Sequence, residues 1–172
     1  YDRLVGSEMC IRDRLKCSRC QRQMWYSGKF YDKVIGSDLP MRTIQMLVNK
    51  FKFISFSGQL SDPIHYPKFI EVLELCKFYK RKVLVQTASS FKPMSWFKKA
   101  FEAYPEADWR FGLDGLPEES HKYRVNQDGK KIFQVMLEGK KILKNAPAGN
   151  TLYLNITKII KDRQKEWLKN ID

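Results

Sequence analysis

From Asp38 onward the apolar positions alternate between two periods. Ile44, Leu47, Val48 and Phe51 recur at helical spacing after Pro40, with Asp38 as the predicted cap. Lys52 to Phe56 (KFISF) alternates with period two and predicts a strand, followed by a loop from Ser57 to Pro63. Tyr66 to Arg81 predicts a helix with Phe69, Ile70, Leu73, Cys76 and Phe78 largely on one side. Lys82 to Thr87 (KVLVQT) predicts a second strand, continuous enough to be buried on both faces. Further on come a helix from Met94 to Tyr104, a strand from Asp108 to Leu113 and a loop from Asp114 to Gly129. A helix from Lys130 to Asn145, a turn at Pro147–Gly149, a strand from Thr151 to Ile156 and a helix from Lys161 to Asn170 complete the pattern.

The order is one helix, then strand and helix four times. Strands alternating with helices of this length imply βαβ units and a parallel sheet, hence an α/β fold. Right-handed crossovers leave two architectures, an open doubly wound sheet or a barrel. Each predicted helix has a single apolar stripe, which suits a barrel with all its helices outside. In both architectures the functional loops lie beyond the C-terminal ends of the strands. That rule selects Ser57–Pro63, Thr87–Pro93, Asp114–Arg124 and the segment before the first helix.

Composition narrows the class. With 43% apolar and 30% charged residues among 172, the chain is neither disordered nor fibrous. No apolar run approaches the roughly 20 residues of a membrane span. The first residues lack the charged and apolar regions of a secretory signal, so a cytoplasmic location without membrane contact is expected. The net charge is +13, from 32 basic against 19 acidic residues, which favours anionic partners. The densest stretch, Lys122 to Lys144, holds seven basic and two acidic side chains.

Four cysteines, Cys10, Cys17, Cys20 and Cys76, do not space like a stapled secreted domain. Cys17 and Cys20 form a CxxC pair, which has three common meanings: half a zinc site, a redox dithiol, or part of an iron–sulfur run. Cys76 lies in an apolar helix, where a free cysteine packs. His65 and His121 stand too far apart for zinc-finger spacing. The segment after Cys20 is polar and aromatic, with Trp25 and Tyr26 read as loop packing. A redox dithiol would instead follow a strand and open a helix.

LKCSRC, Leu15 to Cys20, resembles the end of the CxxxCxxC loop of radical S-adenosylmethionine (radical SAM) enzymes. FSGQLSDPIHYPKFIEVLELCK, Phe56 to Lys77, resembles that superfamily's second strand, glycine turn and second helix. VQTASS, Val85 to Ser90, resembles the polar end of its third strand. DWRFGLDGLPEESHKYR, Asp108 to Arg124, resembles its fourth strand and the continuation found in small phage and environmental members. The resemblance covers residues 15–172. There are departures: Ser57–Gly58–Gln59 stands where the family has Gly-Gly-Glu, and Asp13 stands where its first cluster cysteine would fall. The first fourteen residues, ending in GSEMCIRDR, resemble a translated sequencing-adapter remnant. Tyr1–Arg14 is therefore expected to be non-native, and residues 15–172 a radical SAM domain incomplete at both ends, its first strand missing.

The resemblance implies a partial β/α barrel that binds a [4Fe–4S] cluster and S-adenosylmethionine. It implies reductive cleavage to a 5′-deoxyadenosyl radical, which abstracts hydrogen from a substrate. Cys17 and Cys20 would be cluster ligands. Ser57, Gly58, Gln59, Thr87 and Ser89 would line the nucleoside site, with Asp114, His121 and Arg124 near it. The implied partners are a reductant such as flavodoxin or ferredoxin and a substrate of peptide or nucleic-acid type. Two cysteines do not complete the three-ligand cluster, so the 172-residue chain itself is expected to be inactive. Two other classes compete: a non-catalytic basic α/β binding module, and a zinc-dependent nucleic-acid-binding protein. An intact copy of the same locus is expected to encode a cysteine four residues before Cys17, preceded by an apolar strand. Sequencing one decides this, and an intact copy without that cysteine removes the cluster assignment.

Overall fold

Pro40 sets the first helix. Its ring fixes φ at −57° and it needs no hydrogen-bond partner for an N–H, so the chain enters α1, Met41–Lys50, directly. Pro40 occupies the cap position, and no side chain caps the helix, so the expected cap at Asp38 is corrected. Two residues upstream, a short carboxylate lies outside the position from which first-turn amides are reached. The structure is a computed structural model that describes residues 15, 37–58, 62–88, 90–114 and 116–149. The predicted strand and helix after Thr151 lie outside the described residues, as do the first fourteen residues.

Phe51 ends α1 in an extended conformation and feeds β1, Phe53–Phe56. A 3₁₀ turn at Pro63–His65 precedes α2, Phe69–Phe78. β2 spans Lys82–Thr87, α3 Met94–Ala103 and β3 Asp108–Phe111. The loop expected between β3 and the next helix contains one short helix, α4, Ser120–Tyr123, before α5, Gly129–Ile142. Ala148–Gly149, expected as part of a turn, forms β4 instead, because its backbone pairs with Arg110 and Phe111.

The sheet order is β1-β2-β3-β4 and the three pairings are parallel. The expected α/β class with parallel strands in chain order is therefore observed. A doubly wound sheet reverses its strand order at a switch point, and the described strands contain no reversal. Right-handed crossovers between chain-ordered strands deliver successive helices to one face.

Ring contacts identify that face. Phe69 of α2 meets Phe56 edge-on at 5.2 Å and Trp109 at 6.4 Å. Phe101 of α3 meets Trp109 at 5.0 Å, and Phe97 lies 6.2 Å from Phe111. Register joins Ile54 to Val83 and Phe56 to Val85, then Val85 to Trp109 and Thr87 to Phe111, so these residues share the helix-bearing face. Alternation sends Ser55, Leu84, Gln86 and Arg110 to the opposite face. KVLVQT is thus not buried on both faces. Val83, Val85 and Thr87 are buried, while Leu84 and Gln86 are half-buried.

The predicted apolar stripe of α2 needs one correction. Phe78 is 77% exposed. It follows Phe69 by two and a half helical turns, which carries it to the far side. The core is formed instead by Phe69, Val72, Leu73 and Cys76 with Phe97, Phe101, Trp109, Val135 and Met136. Arg81 closes the base of this layer. Its Nε donates to the Val48 carbonyl at 2.7 Å and its Nη2 to that of Asn49 at 2.8 Å, satisfying carbonyls at the end of α1.

Cys76 is fully buried, and burial pushes its thiol up from 9.0 to about 12, against the lowering effect of Arg81. Between those values the unfolded chain ionises the thiol and the folded chain does not. Stability therefore falls as pH rises through this window, by up to about 1.4 kcal/mol per pH unit. Urea midpoints measured from about pH 8 to about pH 11 should fall less steeply in Cys76→Ala than in the parent chain. Parallel profiles would contradict the burial of this thiol.

Candidate functional site at the strand ends

Three loops leave the C-terminal ends of β1, β2 and β3, and buried polar side chains bind them to one another. Asp62, 5% exposed, stands at the head of the 3₁₀ turn, where its Oδ1 accepts from the Ile64 N–H at 3.3 Å. Its Oδ2 accepts from the Thr87 hydroxyl and from the Ala88 N–H, both at 2.8 Å. The loop after β1 is thereby fixed to the end of β2. An ionised carboxylate that accepts several donors in a dry site is far more favourable than an unpaired one.

Gln127 makes the second tie. Its Nε2 donates one hydrogen to the Ala88 carbonyl and the other to the Gly112 carbonyl, each at 2.7 Å. Its Oε1 accepts from the Ser120 hydroxyl, whose oxygen in turn accepts from the Asp114 N–H at 3.4 Å. The Gln127 amide thus uses both donors and its acceptor, as a glutamine only 4% exposed must. Beside it the Asp128 N–H donates to Ser90 Oγ at 3.0 Å, and Asp128 Oδ1 caps α5 through the Lys131 N–H.

Local sequence explains how Gln127 arrives there. Asn126 adopts φ 74°, the left-handed region in which Asn is several-fold enriched, and turns the chain inward after α4. Gly129 follows at the start of α5. A Cβ there would lie 2.2 Å from the Pro117 carbonyl oxygen, so only glycine permits this approach. Gly112 is likewise crowded, since a Cβ would meet Ala88 Cβ at 2.8 Å and Arg124 Cζ at 3.0 Å.

Each residue expected at the site has a definite place or lies outside the described set. Ser57 is half-buried and Gly58 exposed, directly after β1. Thr87 is buried and its hydroxyl donates to Asp62. Arg124 Nε donates to Asp114 Oδ2 at 2.5 Å, across Gly112. His121 is exposed on α4. Cys17, Cys20, Gln59 and Ser89 lie outside the described residues. Among the described residues, no three His, Cys, Asp or Glu side chains gather as a metal site. His65, a zinc candidate by sequence, is buried in the 3₁₀ turn.

Asp62, Ser90, Ser120 and Gln127 carry the rim and were not singled out by sequence. Asp62 had a signal: an Asp immediately before Pro63 is a turn and cap pattern. Gln127 had an indirect one in the Asn-Gln-Asp-Gly run that turns the chain into α5.

Fold and rim together define an α/β protein whose parallel strands run in chain order and whose polar loops are gathered at the strand C-termini. No helix among the described residues is long and apolar enough to cross a membrane. No protein-family model matches the chain, and no curated protein matches it.

Gln127→Ala removes three hydrogen bonds and leaves two buried carbonyls and a hydroxyl without this partner. It should destabilise the chain by about 3 kcal/mol, at roughly 1 kcal/mol per bond. Gln127→Glu should also destabilise, because a carboxylate cannot donate to the Ala88 and Gly112 carbonyls. Urea unfolding measures both, and a loss below about 0.5 kcal/mol in either would contradict the role given to this amide.

Proposed function

We propose that the chain is a radical SAM protein, with its strands arranged as part of a β/α barrel. In this reading Cys17 and Cys20 would be ligands of a [4Fe–4S] cluster, and the strand-end rim would receive S-adenosylmethionine. When bound, the two groups supply one-electron cleavage of the sulfonium C–S bond. The observation that carries the reading is the rim itself. Parallel strands in chain order end at one edge, and the loops after β1, β2 and β3 are tied into a single frame by Asp62 and Gln127. Asp62, Thr87, Ala88, Gly112 and Ser120 of this frame lie in the segments that resemble the superfamily.

The described residues fit a zwitterionic nucleoside ligand in their chemistry. Gly58 is exposed and has no side chain to block approach to the backbone after β1. Ser57 beside it offers a hydroxyl that can donate or accept. Asp114 is held in place by Arg124, so its second carboxylate oxygen can accept from a ribose hydroxyl without reorganisation. The Thr87 hydroxyl donates to Asp62, which fixes the end of β2 within the rim.

Asp13→Cys completes the CxxxCxxC spacing. Reconstituted anaerobically with iron and sulfide, that variant should turn brown and retain about four irons per chain. The parent chain should retain fewer, and Asp13→Cys combined with Cys17→Ala and Cys20→Ala should retain none. With S-adenosylmethionine and a strong reductant, only the completed chain should release 5′-deoxyadenosine at an appreciable rate. A colourless Asp13→Cys chain that takes up zinc instead would overturn the reading.

A further inference from the structure

The sheet face turned away from the helices carries a set of polar residues that the rim does not use. Ser55, Gln86 and Arg110 are the penultimate residues of β1, β2 and β3. Register sets Gln86 beside Arg110 and Ser55 beside Leu84, two residues before Gln86. The three therefore share one face: Gln86 and Arg110 form one cross-strand row, and Ser55 lies in the row below it with Leu84 and Asp108. At the same level the helix-bearing face shows only Phe56, Thr87 and Phe111 at the strand termini and the apolar Val85 and Trp109 before them.

Two independent features show that this face is not simple packing. Ser55 is 2% exposed, yet its Oγ has no hydrogen-bond partner. Buried hydroxyls are nearly always partnered, so one that is not has a hydrogen bond to offer to a ligand atom or a water. Arg110 is exposed and makes no ion pair among the described residues. The carboxylate nearest along its own strand and face, Asp108, accepts instead from Asn145 Nδ2 at 2.8 Å. Lys82 lies on the same face at the start of β2, so the face has an excess of donors and positive charge.

We propose that Arg110, Gln86 and Ser55 bind an anionic group of the substrate, a carboxylate or a phosphate. A guanidinium presents a planar fork that matches either group with two parallel hydrogen bonds. The Gln86 amide on the adjacent β2 and the Ser55 hydroxyl on β1 beyond it add donors, and Asp108, the carboxylate on this face two residues before Arg110, is engaged by Asn145. The anion sits below the rim that the preceding reading assigns to S-adenosylmethionine, where the reacting part of the same molecule would face the strand ends. The proposal rests on that reading only in calling the anion part of a substrate; the binding itself requires no cluster.

The test uses the full chain in air, without iron, titrated with succinate and separately with inorganic phosphate by NMR or calorimetry. One of the two anions should saturate a single site, and which one does so identifies the group. Arg110→Gln should weaken that binding at least about tenfold, and Ser55→Ala by about threefold. Arg110→Lys should recover only part of the loss, because an ammonium lacks the fork. Lys99→Gln, an exposed lysine on α3, should leave binding unchanged. Binding of neither anion overturns the proposal, as does an equal loss in Arg110→Gln and Lys99→Gln, which would mean only nonspecific attraction to a basic chain. A chain that binds the anion but stays colourless on reconstitution keeps this site and loses the radical SAM reading.

Discussion

The backbone of Ala88 is the point through which the functional edge of this protein is organised. Its N–H is taken by Asp62 from the loop after β1, and its carbonyl by Gln127 from the loop after β3. A single strand-end residue is thus held from two directions by side chains 26 residues before it and 39 after it. Neither bond belongs to the sheet ladder. Both are side chain to backbone in a half-buried setting, where an unmade bond is costly and a made one fixes geometry. Three loops that would otherwise move independently are thereby joined into one frame. Loops that bind or react gain precision when a rigid scaffold and supporting hydrogen bonds hold them.

The sheet beneath this frame divides its labour by face. Phe69, Phe97 and Phe101 from two helices pack rings on Phe56, Trp109 and Phe111, and this aromatic layer holds the strands in register. Buried aromatic side chains of this size contribute several kcal/mol each, about 3–5 on truncation. With that much apolar burial on one side, the other side is free to be polar. It carries Ser55, Gln86 and Arg110 at the level of the strand ends. A parallel sheet covered on both faces would be apolar on both. The departure from that rule marks the face on which chemistry is proposed.

The strand and helix types were legible because their periods differ and their breakers are local. Pro40, Pro63 and Pro93 each stand at the head of a helix or turn. Boundaries were less so. The chain around Asp62 and Pro63 looks like a loop followed by a long helix, yet the hydrogen bonds from Asp62 stop it in a 3₁₀ turn and delay α2 to Phe69. Ala148–Gly149 reads as a turn because nothing local shows that β3 offers it partners. The candidate site was legible in its loops and not in its supports. Thr87, Asp114 and Arg124 stood out as polar groups in the right segments, but nothing local ties Asp62 to Thr87, 25 residues on, or Gln127 to Gly112, 15 residues before it. Polar residues buried by tertiary contact have no periodic signature, so only the fold reveals them. The two faces of KVLVQT were indistinct for a related reason: Leu84 is as apolar as Val83 and Val85, and only the position of the helices decides which is covered.

The central claim is that the loops at the strand ends form one frame held by buried hydrogen bonds. Native-state amide hydrogen exchange of the full chain tests it most directly. The account predicts that the Ala88, Gly112 and Asp128 amides, which donate to Asp62, Thr87 and Ser90, exchange as slowly as core-strand amides such as Val85. Exchange of these three at the rates of free loops, with the strands still protected, would contradict it.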